Sequence, residues 1–227
     1  MKRLRSPAGV AAILLLLALA ATGYTTAMRF AAEMTSQDAR YRFERWEAGK
    51  AKPLDGEVGA AVASLRAAMD YEPGNPNLHW YLGRIDDWRV RSGSLAAAES
   101  RATRQAALES FRQAALLRPT SGHSWVYVTL TRYMLGLVDV EFVLALEQMQ
   151  RWAPWQPQLQ LIEIQLGVAT WQIMPLSTQM LLIEAIRRQA GWKLADQKPA
   201  LIPLLRGYRR NELGCPWAGR ALACPGF

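Results

Sequence analysis

His79 and His123 are the only side chains in this sequence whose ordinary pKa lies near neutrality. Neither is spaced to form a pair with a nucleophile or to share a metal, so each is expected to pack or to cap. Asp86 and Asp87 are adjacent. Neighbours on a helix diverge by about 100°, so these two do not converge on a substrate as acid and base. They are expected to be solvated, or paired with Arg84 or Arg89. Glu141, Glu147 and Glu163 show no partner spacing either. There is no phosphate loop, nucleotide fingerprint or exposed-serine elbow. The chain therefore reads as non-enzymatic, with no cofactor and no metal.

Two other groups of residues could do chemistry. Cys215 and Cys224 are the only cysteines, and in an oxidising compartment they are expected to form a disulfide that ties down the C-terminus. The nine tryptophans could supply aromatic contacts to a partner, or could simply cover a core.

The elements that must position these residues show a period. Ala61, Leu65, Ala68 and Pro73 are separated by four, three and five residues. Ala107, Phe111, Ala114 and Pro119 repeat both the spacing and the residue types. Phe142, Leu146, Met149 and Pro154 keep the spacing and the proline but lose the small positions. Such a pattern marks a helix that packs small residues against a partner and stops before a proline, which cannot extend the hydrogen-bond ladder. Val90 to Arg101 lengthens one interval and reads as an insertion. No credible period-two strand pair is present, so the chain is expected to be all-α.

The pattern resembles the tetratricopeptide repeat. Leu82-Gly83 falls where that repeat has its leucine and glycine, Trp125 follows Pro119 where it has its first-helix tryptophan, and His79 holds the matching place after Pro73. The resemblance implies a degenerate α-solenoid whose first helices line a concave face. Carried onto this sequence, that face holds Asn77, Trp80, Arg84, Asp87 and Trp88, then His123, Val126, Leu130, Tyr133 and Met134, then Gln158, Leu161 and Gln165. A groove mixing aromatics, amides and charges suits a peptide segment or a sugar chain. Trp152 and Trp155 flank a turn and are expected to staple repeats together.

The first residues carry an address. Lys2, Arg3 and Arg5 precede Ala8 to Met28, which contains no charge. Those 21 residues would span roughly 31 Å as a helix, enough to cross a bilayer. The cations favour a cytoplasmic N-terminus and an exported, periplasmic remainder. A cleaved signal peptide, with Val10 to Ala21 as its apolar core and Ala18-Leu19-Ala20 as its site, is the competing reading. The net charge is +8, of which the three N-terminal cations leave +5 for the remainder. No basic run, recognition motif or zinc spacing supports nucleic-acid binding.

The expected organisation is a basic tail over 1–7, an anchor over 8–28, a juxtamembrane helix and linker over 29–56, repeats over 57–190 and a helical cap over 191–227. Within it, helices are expected at Glu57 to Tyr71, Asn77 to Val90, Ala102 to Leu117, Ser124 to Leu137, Glu141 to Trp152 and Gln158 to Met174. Another is expected from a Ser177 cap to Gln189, and a last from Pro199 to Arg210. Ser124-Trp125, Val138 to Phe142 and Trp152 to Gln160 also resemble the VpsP-type polysaccharide biosynthesis accessory proteins of bacteria. That resemblance implies an inner-membrane assembly factor for envelope polysaccharide, acting on a protein partner in the inner membrane or periplasm. A carbohydrate-binding module, or a structural subunit of an unrelated membrane complex, are the alternatives.

Overall fold

The computed structural model describes residues 7–54, 56–93, 95–191 and 198–218, and among them every regular element is helical. The chain divides into two compact units, Met1–Ile85 and Asp86–Phe227.

In the first unit, α1 (Pro7–Glu47) is one unbroken helix of 41 residues. Its N-terminal half is uncharged and exposed, and it is long and apolar enough to cross a membrane. From Ala32 onward one stripe turns inward: Ala32, Ser36, Ala39, Phe43 and Trp46 are buried. Their alternating spacing of four and three keeps them on one helix face. That face packs on α2 (Glu57–Tyr71), whose own inward residues are Ala61, Leu65 and Ala68. Two ion pairs set the hairpin antiparallel. Arg42 meets Glu57 at 2.6 Å at the loop end, and Arg29 meets Glu72 at 3.2 Å at the open end. The third helix, α3 (Pro76–Arg91), begins in this unit and runs parallel to α1. The Tyr81 hydroxyl donates to Glu44 at 2.5 Å, and one turn on Arg84 pairs with Glu47. Leu78, Leu82 and Ile85 form the buried stripe expected of α3.

The second unit contains α4 (Ala97–Leu117), α5 (Gly122–Met134), α6 (Val140–Trp152), α7 (Pro157–Ala169), α8 (Leu176–Gly191), α9 (Lys198–Gly207) and α10 (Cys215–Ala218). Consecutive helices from α4 to α8 pack on one another, and α5 also touches α7. One core joins Val126, Phe142, Leu146, Met149, Leu166 and Leu182. A second, towards the C-terminus, joins Ile164, Val168, Ala185, Ile186, Leu201 and Leu205. Two glycines permit the closest approaches. A Cβ at Gly122 would overlap that of Ala153, and a Cβ at Gly167 would overlap the Leu182 side chain.

Several boundaries differ from the expected ones. The insertion shrinks to a short loop, because Ala97, Ala98 and Glu99 are good helix formers and start α4 five residues earlier than Ala102. Ser177 is not a cap. The helix starts at Leu176, directly after Pro175, and Ser177 lies in its first turn. The helix expected to reach Met174 ends at Ala169, where the Thr170 hydroxyl donates to the Leu166 carbonyl at 2.7 Å and a 3-10 turn follows at Trp171–Ile173. Gln179 closes that turn by donating to the carbonyls of Trp171 and Met174 at 3.0 Å each. The final helix stops at Gly207 rather than Arg210, with Arg209 in a left-handed conformation, φ 56°. The N-terminal cations Lys2, Arg3 and Arg5, and Cys224, lie outside the described residues.

Candidate functional site

The local unit that positions α3, α5 and α7 is a turn that occurs three times. Each preceding helix is capped by the residue before a proline: Glu72, Arg118 and Ala153. The proline ring clashes with a helical residue before it, so these three adopt φ near −138°, −138° and −132° instead. In each, the cap N–H donates four residues back, to Ala68, Ala114 and Met149. Those acceptors are the third members of the sequence period, and all three periodic triads are buried.

The proline carbonyl is then tied from the next helix. His79 Nε2 lies 3.1 Å from the Pro73 oxygen, and the Trp125 indole N–H donates to Pro119 at 2.7 Å. The Gln160 amide donates to Pro154. Each donor stands six residues after its proline. The Pro73 oxygen can only accept, so the His79 bond requires a proton on Nε2. His79 is therefore a capping residue, as expected. Gln160 was not anticipated, although its spacing from Pro154 repeats that of Trp125 from Pro119.

The expected groove residues are divided between the two units. In the first, Asn77 is exposed, whereas Trp80 is half-buried beneath Arg84, whose guanidinium lies 4.2 Å from the indole centroid. Arg84 also stacks on Phe43 at 5.0 Å while paired with Glu47. Trp80 and Arg84 are thus engaged within the first unit's packing. In the second unit Asp87 is buried and binds Arg91 at 2.8 Å, and Asp86 is buried with Arg89 at 3.5 Å. The two aspartates are not solvated, and Asp87 pairs with Arg91 rather than Arg84 or Arg89, because Arg91 lies one turn ahead on the same helix. Trp88 is half-buried. Val126 is core, not groove. Five of the expected residues remain exposed in this unit: His123, Tyr133 and Met134 on α5, and Gln158 and Gln165 on α7. Trp155 is 69% exposed and Trp152 is 42% exposed with its N–H on Gln148, so neither staples two helices; their positions at the helix end and turn leave them facing solvent. Cys215 opens α10 and is half-buried.

Electrostatics rigidify the same region. Arg112 of α4 grips Glu141 of α6 with two bonds, 2.6 and 2.7 Å. Arg132 of α5, almost wholly buried, binds both Glu141 and Asp139. Asp139 caps α6 by accepting the Phe142 N–H at 3.2 Å. Burial pushes the Asp139 carboxyl up, but the Phe142 bond and Arg132 outweigh it and hold the group below its usual range. Three helices are joined by charge-assisted bonds that sequence spacing alone did not reveal.

The second unit carries two concavities, the first of them bordered by this network. A groove of about 420 Å³ is lined by Leu116, Pro119, Trp125 and Leu144 beside the Arg112–Glu141 pair. A more polar one of about 520 Å³ is lined by Glu147, Gln150, Arg151, Leu181 and Arg188. Glu147 accepts from the Thr178 hydroxyl at 2.7 Å, and Gln150 donates to the Leu181 carbonyl at 2.7 Å. Deeper, Glu163 is buried, and desolvation raises its pKa to about 8 against the opposing pull of Arg188. Its burial was legible from its spacing between Leu159 and Leu166 on α7.

Compared with models of known protein families and with curated proteins, the chain gives no match.

Proposed function

We propose that this chain is a non-catalytic, membrane-anchored scaffold built on a degenerate tetratricopeptide-like solenoid. The observation that carries the reading is the threefold turn. Buried triad, pre-proline cap and proline-carbonyl tie recur with the same residue offsets at Pro73, Pro119 and Pro154. Repeats of this kind bury their cores against one another and leave their first helices to bind. The face we assign to a partner is the exposed part of α5 and α7, with His123 and Tyr133 on α5 and Gln158 and Gln165 on α7.

The mechanism is tethering. A span at Ala8 to Met28 confines the helical units near the bilayer and raises their effective concentration against a membrane-bound partner. In this reading the N-terminus is cytoplasmic and the helical units are periplasmic, where Cys215 and Cys224 join. The proposed process is envelope polysaccharide synthesis or export.

The test uses full-length protein in a bacterial host. A C-terminal alkaline phosphatase fusion should be active and a green fluorescent fusion dark; the reverse overturns the orientation. Photoreactive p-benzoylphenylalanine at Tyr133 should crosslink one discrete membrane protein, and the same probe at Val140, exposed on α6, should not. Equal crosslinking at both sites contradicts the assigned face. Direct binding of purified polymer by the isolated full chain, with no protein crosslink, would favour a carbohydrate-binding module instead.

A further inference from the structure

The α1–α2 hairpin contains its own height marker. Ala8 to Met28 carries no charge, none of the apolar window is buried, and Arg29 is the first charged residue after it. Arg29 is also the residue that pairs with Glu72, the cap of α2, at 3.2 Å. Because α2 runs antiparallel to α1, this contact brings the whole α2–α3 turn back to the level of the last uncharged turn of α1. No spacer separates the folded hairpin from the apolar span.

The chemistry at that level suits an interface. Tyr71 is 45% exposed beside the turn, Phe30 is 67% exposed on α1, and Tyr24 is 63% exposed one to two turns lower. Aromatic rings with an apolar body and a polar tip concentrate where acyl chains meet headgroups. The polar interfacial layer of a bilayer is about 5–8 Å deep on each side, roughly one helical turn. The turn is also held in shape. Asn75 accepts the Asn77 N–H at 3.0 Å through its side chain, and His79 is tied to Pro73.

We infer that the Tyr71–Asn75 turn is a lipid-contacting surface: it rests in the headgroup layer, and the hairpin stands on the bilayer rather than hanging from it on a linker. The occupant is lipid because this surface is continuous with the exposed apolar face of the span itself. Leu54, at the other end of the hairpin and 74% exposed, lies clear of the membrane. The 18 helical steps from Arg29 to Glu47 rise about 27 Å at about 1.5 Å each. Asn77 lies two residues beyond the turn, so a partner reaching it must itself be at the membrane surface. The inference rests on α1 crossing the membrane, and its test separates the two claims.

The full-length protein is reconstituted in vesicles of phosphatidylethanolamine and phosphatidylglycerol at about 3:1. p-Benzoylphenylalanine replaces Leu16, Tyr71 or Leu54 in turn, all exposed positions. After irradiation, lipid adducts are measured by intact mass. Adducts are expected at Leu16 and at Tyr71, at yields within about threefold of each other, and none at Leu54. Adducts at Leu16 without any at Tyr71 overturn the inference and leave the membrane span standing. No adduct at Leu16 overturns the span and the inference together. Equal adducts at Tyr71 and Leu54 show a hairpin lying flat on the surface, which also contradicts it.

Discussion

The indole N–H of Trp125 donates to the carbonyl of Pro119, six residues earlier, at 2.7 Å. A helix-ending proline leaves its oxygen without a ladder partner, and the next helix supplies one from a side chain. His79 and Gln160 do the same at Pro73 and Pro154. Three unlike residues share one task, so the geometry is preserved where the residue type is not. Trp125→Phe keeps the ring's packing against the core and removes the donor. It should lower stability by about 1 kcal/mol, with a little more for the smaller ring. Urea midpoints read this. An unchanged midpoint would show that the tie contributes nothing.

Ala114 tests the register of the repeat. It is fully buried on α4, whereas Ala98 on the same helix is exposed. Ala114→Leu should overpack the contact and cost about 1–3 kcal/mol, while Ala98→Leu should cost little. Equal denaturation midpoints for the two variants would count against the register.

Residues buried by the period were legible in advance because small and bulky types recur at fixed offsets before proline. The stripe of α3 and the extent of α2 followed from the same logic. The charged network was not legible. Arg112 and Glu141 lie 29 residues apart, and no spacing rule links them. Arg84 was expected in the groove by its register, but its partners Glu47 and Phe43 come from α1, which a repeat pattern built on later helices does not include. Element ends were read poorly wherever a side chain, such as that of Thr170, captured a carbonyl and turned the chain.

The Arg132 network should be strongly coupled. Arg132→Met leaves Glu141 and Asp139 without their shared cation. The expected loss is roughly 2–3 kcal/mol, below the ~3–5 of a fully buried pair because Asp139 is half exposed. A double-mutant cycle with Glu141→Gln should give a coupling above about 0.5 kcal/mol. Additive losses would show that the three helices are not joined through this carboxylate.

Glu163 predicts a pH dependence. Its folded pKa, about 8, lies above the ordinary 4.5. The folded state therefore binds more protons than the unfolded state between those values. Its contribution is fully present below about pH 4.5 and is lost as pH rises through about 8. Thermal midpoints should fall from pH 5 to pH 9, and Glu163→Gln should flatten that decline. A parallel decline in both proteins would assign the dependence to another group.

The central claim is that a face of α5 and α7 holds a membrane-bound partner. The most direct measurement pairs His123→Ala with Tyr133→Ala in the full-length chain and follows partner recovery by co-purification from detergent-solubilised membranes. Both residues are exposed, so helical content by circular dichroism should be unchanged. The account predicts at least a tenfold loss of the partner, a little over 1.4 kcal/mol in affinity, with a matching fall in surface polysaccharide. Full recovery of the partner and normal polymer output in the folded double variant would contradict it.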